Sequence, residues 1–574
     1  MHQKLMPLRT IRWGAAVVTA ATAVAVCVPA AQAQVLAGSG ASASSSATAS
    51  QQKVAVTKSG FSTYGWGDPK AGSVSKASAP RVSAVATASV PVNVPAEDLG
   101  SLYTVEKAIG ARDLWTKKDT SGRPLTGKGV SVALLDTGVS EVTGLKNTSK
   151  LTFGPDLSIE GNGKLIHQDT YGHGTHMAGI IAGRDTTASS ASLPSVGTDV
   201  QLGVAPDANL LALKLANTDG STDVSAVIAA LDWVIQYPRT SDGQRVRVIN
   251  LSYGTDSTQN YLTDPLSAAV ENAWKHGIVV VTSAGNSGSL GTRMTNPAIN
   301  PYVIAVGATQ DFKTPAFGAS DQTTVAAYSQ VGSASRHVDL VAPGTSVVSA
   351  RVPGSFIDVN YPAGRVAGDV KGTLFRGSGT SQAAAVVSGS IALLLQAYPC
   401  LSPDQVKYAL TSSARPVKTL TPNAIVNAGG AGSLDLVKAF TVAGKLASLN
   451  TRQTFASSTG DGSIDSARGG SFLVDANGQG LTGEIDELGN PWDGAAWFRA
   501  ASASTSWCGG RWLGKTWTGN GWGPSSPSGA GQWSSARWSS ARWSAARWSS
   551  TDWSAARWSA ARWSTSRWSN VIWK

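Results

Sequence analysis

Five short apolar runs, at 130–135, 210–215, 246–251, 278–281 and 303–306, constrain this chain more than any other feature. They show little polar alternation, as strands buried on both faces do, whereas a half-exposed strand alternates apolar and polar residues. Helical patterns separate them. Within 222–237, Val224, Val227, Ile228, Leu231, Val234 and Ile235 fall on one face of a helix that Pro238 ends. A second pattern, 266–276, is closed by Gly277. Strand and helix in alternation imply right-handed βαβ units. The expected fold class is therefore α/β, a doubly wound, mostly parallel sheet with helices on both faces.

The flanks have a different texture. Residues 1–33 join a basic start to an apolar run, 14–28, and a small-residue site, Ala31-Gln32-Ala33, the pattern of a secretory signal peptide. Fifteen apolar residues fall short of the roughly 20 that a bilayer span needs. No later span is expected, because the best stretch, 383–397, is broken by Ser388, Gly389 and Ser390. Residues 34–100, rich in Ala, Ser, Val and Thr without a sustained period, read as a pro-segment or linker, and 448–505 as a second linker. From Trp507 onward Trp recurs every five residues in two blocks that hold 13 of the 20 Trp. A step of five matches neither helix nor strand, so 506–574 reads as a low-complexity Trp-repeat tail.

The net charge of +11 divides unevenly: +3 lies in residues 1–33, +8 in 506–574, and the remainder sums to zero. A neutral body argues against nucleic acid as a partner, since phosphate binding needs clustered Lys and Arg. Trp and Arg together suit sugar-ring stacking or an anionic interface, so the tail's expected partner is a cell-wall polymer or an anionic surface. Loss of the signal peptide removes Cys27 and leaves Cys400 and Cys508, which an oxidising compartment allows to pair.

Three segments carry the chemistry. Leu134-Leu135-Asp136-Thr137-Gly138 sets an Asp at the carboxyl end of a buried strand, where clefts open in α/β sheets. An aspartic-protease pair would need a second Asp-Thr-Gly, and the chain has none. Tyr171-Gly172-His173-Gly174-Thr175-His176 puts His173 at a helix start, uncrowded by its flanking glycines. There it can take a proton from a hydroxyl while a carboxylate holds its other nitrogen. Zinc on His173 and His176 would lack a third ligand in the motif. Gly377-Ser378-Gly379-Thr380-Ser381 runs into an apolar helix whose first N–H groups suit a developing oxyanion.

In this order and context Asp136, His173 and Ser381 resemble the subtilisin-like serine proteases, the subtilases. Gly203-Val204-Ala205-Pro206, Asn250-Leu251-Ser252-Tyr253-Gly254, Ser283-Ala284-Gly285-Asn286, Asn296-Pro297-Ala298 and Val341-Ala342-Pro343-Gly344 follow the family's order. The resemblance implies a peptidase domain over 101–447 that hydrolyses protein or peptide substrates by acyl transfer. Ser381 would be the nucleophile, His173 its base, Asp136 the orienting carboxylate, and Asn286 with the Ser381 N–H the oxyanion hole. Substrate contact is implied at Ser252, Tyr253, Gly254, Ser283, Ala284 and Gly285.

No cofactor is required, and no residue is assigned to a structural calcium ion, which this reading leaves open. The implied location is extracellular, with surface association through the tail. Three departures from the family stand out. Gln382-Ala383-Ala384-Ala385 replaces Met-Ala-Ser-Pro after the nucleophile, Tyr253 replaces a smaller residue, and Thr295 falls where a Gly often lines the primary pocket. A rival reading makes the Trp repeats the working part and the body a silent scaffold. A scaffold has no physical need for Asp136, His173, Ser381 and Asn286 together.

Overall fold

A computed structural model describes residues 100–516, apart from 147–148, 162, 199, 241, 289–292, 311–322, 419–427, 447–448 and 476–479, together with 533–534. The signal-peptide, pro-segment and most of the tail expectations fall outside the described residues.

Seven strands make one parallel sheet: β1 (Ser131–Asp136), β2 (Leu151–Asp156), β3 (Asn209–Lys214), β4 (Val246–Leu251), β5 (Val279–Ser283), β6 (Ile304–Thr309) and β7 (Leu340–Pro343). Their order is β2-β3-β1-β4-β5-β6-β7. The five apolar runs are β1 and β3 to β6. Edge strand β2 escaped the sequence reading because it is half-buried and carries Gly154 and Pro155, where its register with β3 breaks. Strand β7 is only four residues long.

Helices α1 (Leu102–Ile109) and α2 (Ala111–Trp115) precede the sheet, and α3 (His173–Ala182) follows β2. Next come α4 (Val224–Gln236) and α5 (Pro265–Lys275), packed on each other, each started by an Asp: Asp223 accepts from Ser225 N at 2.9 Å and Asp264 from Ser267 N at 2.8 Å. A hairpin, β8 (Val347–Ala350) with β9 (Leu374–Gly377), flanks α6 (Phe356–Asn360). Helix α7 (Thr380–Ala397) packs on α3 and across β4 to β7, and α8 (Pro403–Ser413) and α9 (Leu436–Ala443) complete the layers. By length and composition α7 could cross a membrane, longer than the stretch read from sequence, yet all of it is enclosed by the fold. An all-round apolar helix of this kind belongs in a core.

Residues 449–516 depart from the expected linker. They run as a belt along α5 and α4, through α10 (Ile464–Arg468), the short β10 (Val474–Asp475) and α11 (Gly494–Ser502). The belt ends in a ribbon of β11 (Trp507–Cys508), β12 (Arg511–Trp512) and β13 (Lys515–Thr516), and β10 pairs with β14 (Trp533–Ser534). Along the belt Thr459 N donates to Leu262 O at 2.7 Å, and Ser458 N to Glu271 Oε2 at 3.0 Å. Trp497, Trp507 and Trp512 are at most 1% exposed. The Trp497 and Trp512 indoles both donate to Asp232 Oδ2 at 2.9 Å, and Trp507 donates to Ala229 O at 2.8 Å. A few aromatic anchors bury this segment instead of a periodic face, so its composition looks like a loop's. In the ribbon Trp507 lies opposite Trp512 across a turn at Gly509-Gly510. The five-residue step is there the reach of a tight hairpin. Cys400 is free and exposed, so it does not pair with Cys508.

Candidate active site

Asp136 ends β1 at the point where strand order reverses, between β3 on one side and β4 on the other. Crevices at the carboxyl ends of open sheets form at such a point. His173 is the first residue of α3, and its Nδ1 lies 2.7 Å from Asp136 Oδ1, with both side chains at most 1% exposed. Gly174 makes this approach feasible: a Cβ there would sit 2.1 Å from Gly138 O. Burial pushes the Asp136 carboxyl up, while the His173 ring and the Thr137 N–H, 2.8 Å away, pull it back. Burial, reinforced by His173, pushes His176 down to about 3, so His176 stays neutral and is no second base.

Asp169, which the sequence reading passed over, organises the start of α3. It accepts from Gly172 N at 2.6 Å, Thr175 N at 2.7 Å and Thr137 Oγ1 at 2.7 Å, and Thr137 Oγ1 in turn accepts from Gly174 N at 2.8 Å. Lys214, at the end of β3, donates to Thr137 O at 3.2 Å and Gln168 O at 2.8 Å and pairs with Glu160. An Asp four residues before a helix-start His is the one sequence signal that pointed to this network.

Ser381 is the second residue of α7 and is buried. The helix has no side-chain cap of its own. Asn286, in the loop after β5, does that work: its Oδ1 accepts from Thr380 N at 2.8 Å and Thr380 Oγ1 at 3.0 Å. Its Nδ2 is buried without a hydrogen-bond partner among the described residues. Ser388 Oγ donates to Asn250 Oδ1 at 2.8 Å, Asn250 Nδ2 to Ser252 Oγ at 3.1 Å, and Ser252 Oγ to Ser381 O at 3.4 Å. This chain of bonds ties the end of β4 to the start of α7.

The expected substrate-contact residues divide. Tyr253 is fully buried, near enough to Asp223, Arg468, Glu487 and Asp264 to feel their charges, and its hydroxyl is pushed well up by burial. Its ring is enclosed as fully as the side chains of His173 and Ser381. Ala284 and Gly285 use their N–H groups on Val306 O and Thr380 Oγ1, and their carbonyls on Thr295 N and Gln330 N. They hold Asn286 in place, and Ser283, ending β5, is buried. Gly254 faces Thr295, whose Oγ1 would lie 2.3 Å from an added Cβ. Among the described residues no group of three or more His, Cys, Asp or Glu is arranged to hold a metal ion.

The subtilase family model matches residues 127–432. The chain belongs to the subtilase family. It is 35% identical to serine protease AprX of Bacillus subtilis over 315 residues, covering 53% of this chain and 65% of AprX. It is 34% identical to subtilisin DY of Bacillus licheniformis, covering 50% of this chain and 84% of that protein. A crystal structure of a cold adapted subtilisin-like serine proteinase aligns with 57% of this subtilase and 98% of its own chain, at 28% identity and a TM-score of 0.39. The family match ends before the belt begins.

Proposed function

We propose that this subtilase is a secreted serine endopeptidase acting through an acyl-enzyme. Ser381 Oγ attacks the scissile carbonyl and forms the C–O bond. His173 takes its proton and returns it to the leaving amine, so the C–N bond breaks with a neutral amine departing. Water repeats the sequence on the ester. Asp136 fixes the tautomer of His173 and stabilises the imidazolium from a buried position. Asn286 Nδ2 and the Ser381 N–H receive the oxyanion. The reading rests above all on Asn286, an amide anchored at Oδ1 by Thr380 beside Ser381 with a buried donor left over. An unpaired buried donor costs about 1–3 kcal/mol, which an oxyanion recovers in the transition state.

Substrate backbone pairs with Ser252 and Gly254, and Thr295 makes the primary pocket shallow, selecting small side chains. Export follows from the signal-peptide pattern of residues 1–33, and the Arg-Trp repeats beyond Trp533 serve to hold the enzyme on a cell-wall polymer or anionic surface. A fluorophosphonate should label the secreted protein and not Ser381→Ala. Absence of label on folded, processed wild type would remove the protease reading, and failure of residues 535–574, fused to a carrier, to sediment with cell walls or anionic vesicles would remove the anchoring role.

A further inference from the structure

Beneath the nucleophile a row of buried hydroxyl and amide groups crosses from α7 to β4. Ser388 stands two helical turns beyond Ser381 and therefore on the same face of α7. Asn250, on β4, and Ser252, just past its end, stand two residues apart and face the same side of the sheet. The two pairs meet: Ser388 Oγ donates to Asn250 Oδ1 at 2.8 Å, Asn250 Nδ2 to Ser252 Oγ at 3.1 Å, and Ser252 Oγ to Ser381 O at 3.4 Å, with all four side chains fully buried. Ser390, by contrast, donates to Val386 O of its own helix at 2.8 Å. The direction of the row is set at its far end. Ser388 gives its hydrogen to Oδ1, so Nδ2 faces Ser252, whose oxygen accepts and whose hydrogen goes to the Ser381 carbonyl. With the amide the other way up, Oδ1 would draw the Ser252 hydrogen away from Ser381. Without a donor at 388, either orientation leaves one buried amide atom unpaired, the two come close in energy, and the hold on Ser381 is lost in part.

We propose that Ser388 is a positioning residue for the reaction: through Asn250 and Ser252 its hydroxyl holds the main chain of Ser381 against the end of β4, keeping the attacking Oγ and the oxyanion N–H in register with substrate backbone laid along Ser252 and Gly254. The inference rests on the roles proposed above for Ser381, Ser252 and Gly254. Small displacements are felt because attack requires the reacting atoms about 3–3.5 Å apart and aligned. Ser388, which the sequence shows only as an interruption of the apolar stretch 383–397, thereby has a reason to be polar.

The test compares the full chain with Ser388→Ala, Asn250→Ala and the double variant, on one peptide substrate and with a fluorophosphonate. Ser388→Ala should lower kcat about threefold to tenfold with KM unchanged, the factor that one neutral hydrogen bond represents when it acts in the transition state. The rate of fluorophosphonate labelling should fall by the same factor, because that reagent needs Ser381 and not the substrate strand. The acid limb of the kcat/KM profile against pH should stay in place, since His173 and Asp136 lie outside the row. On the Asn250→Ala background, Ser388→Ala should lower kcat no further. Wild type without label would overturn the protease reading itself. With wild type labelled and active, an unchanged kcat in Ser388→Ala, a loss confined to KM, a shifted acid limb or a full additional loss in the double variant would overturn the role of Ser388 alone. Should Asn250→Ala fail to melt cooperatively, kcat and the labelling rate of Ser388→Ala decide, since Ala suits a helix interior and leaves that variant folded.

Discussion

Asn286 caps α7 through Oδ1 and keeps a buried Nδ2, which the proposed mechanism turns toward the oxyanion. Asn286→Ala should lower kcat by about 10²–10³ with KM little changed, the cost that removal of this donor has in subtilisin itself. Thr295 occupies the space next to Gly254, so Thr295→Gly should raise kcat/KM for an aromatic side chain over Ala at the residue supplying the scissile carbonyl, about tenfold or more in a paired-peptide assay. The pairing of Asp136 with His173 was legible in the sequence because each sits in a short motif whose neighbours are fixed by backbone geometry. The roles of Asp169 and Lys214 were not. Each depends on a partner outside its motif, Asp169 on Thr137 and Lys214 on Gln168 and Glu160.

At the scale of elements, the indole clamp on α4 carries a pH dependence. Burial pushes Asp232 up to about 7, against the pull of the Trp512, Trp497 and Ser506 hydrogen bonds. A carboxyl with a raised native pKa binds more protons folded than unfolded. Its stabilisation is therefore fully present below about pH 4 and is lost as pH rises to about 7, up to about 4 kcal/mol in all. Asp232→Asn can accept from both indoles at any pH. In melting experiments from pH 4 to 8 it should flatten this loss and raise Tm above pH 7; equal Tm profiles for the two proteins would show that Asp232 does not titrate in this range. Helices α4 and α5 themselves needed no such partner to be read, since an apolar face in 222–237 with Pro238 after it, and Gly277 after 266–276, lie close together in the sequence.

For the whole molecule, the belt changes where the body ends. A chain stopped after residue 447 would uncover α4 and α5 and lose three indoles whose burial is worth on the order of 10 kcal/mol as an upper bound, comparable to an entire domain's stability. It should fail to melt cooperatively, whereas a chain stopped after residue 534 should keep a Tm within a few degrees of full length. The peptidase domain expected over 101–447 leaves out the belt that packs on α4 and α5. The sequence by itself determined the sheet's interior strands, its flanking helices and the motif residues, because apolar period and turn chemistry act over a few residues. Only the tertiary structure decided that the described residues of 449–516 are part of the fold. That outcome comes from isolated Trp and Arg side chains meeting Asp232 and Asp223 more than 240 positions away, and pairings that distant leave no period in the sequence.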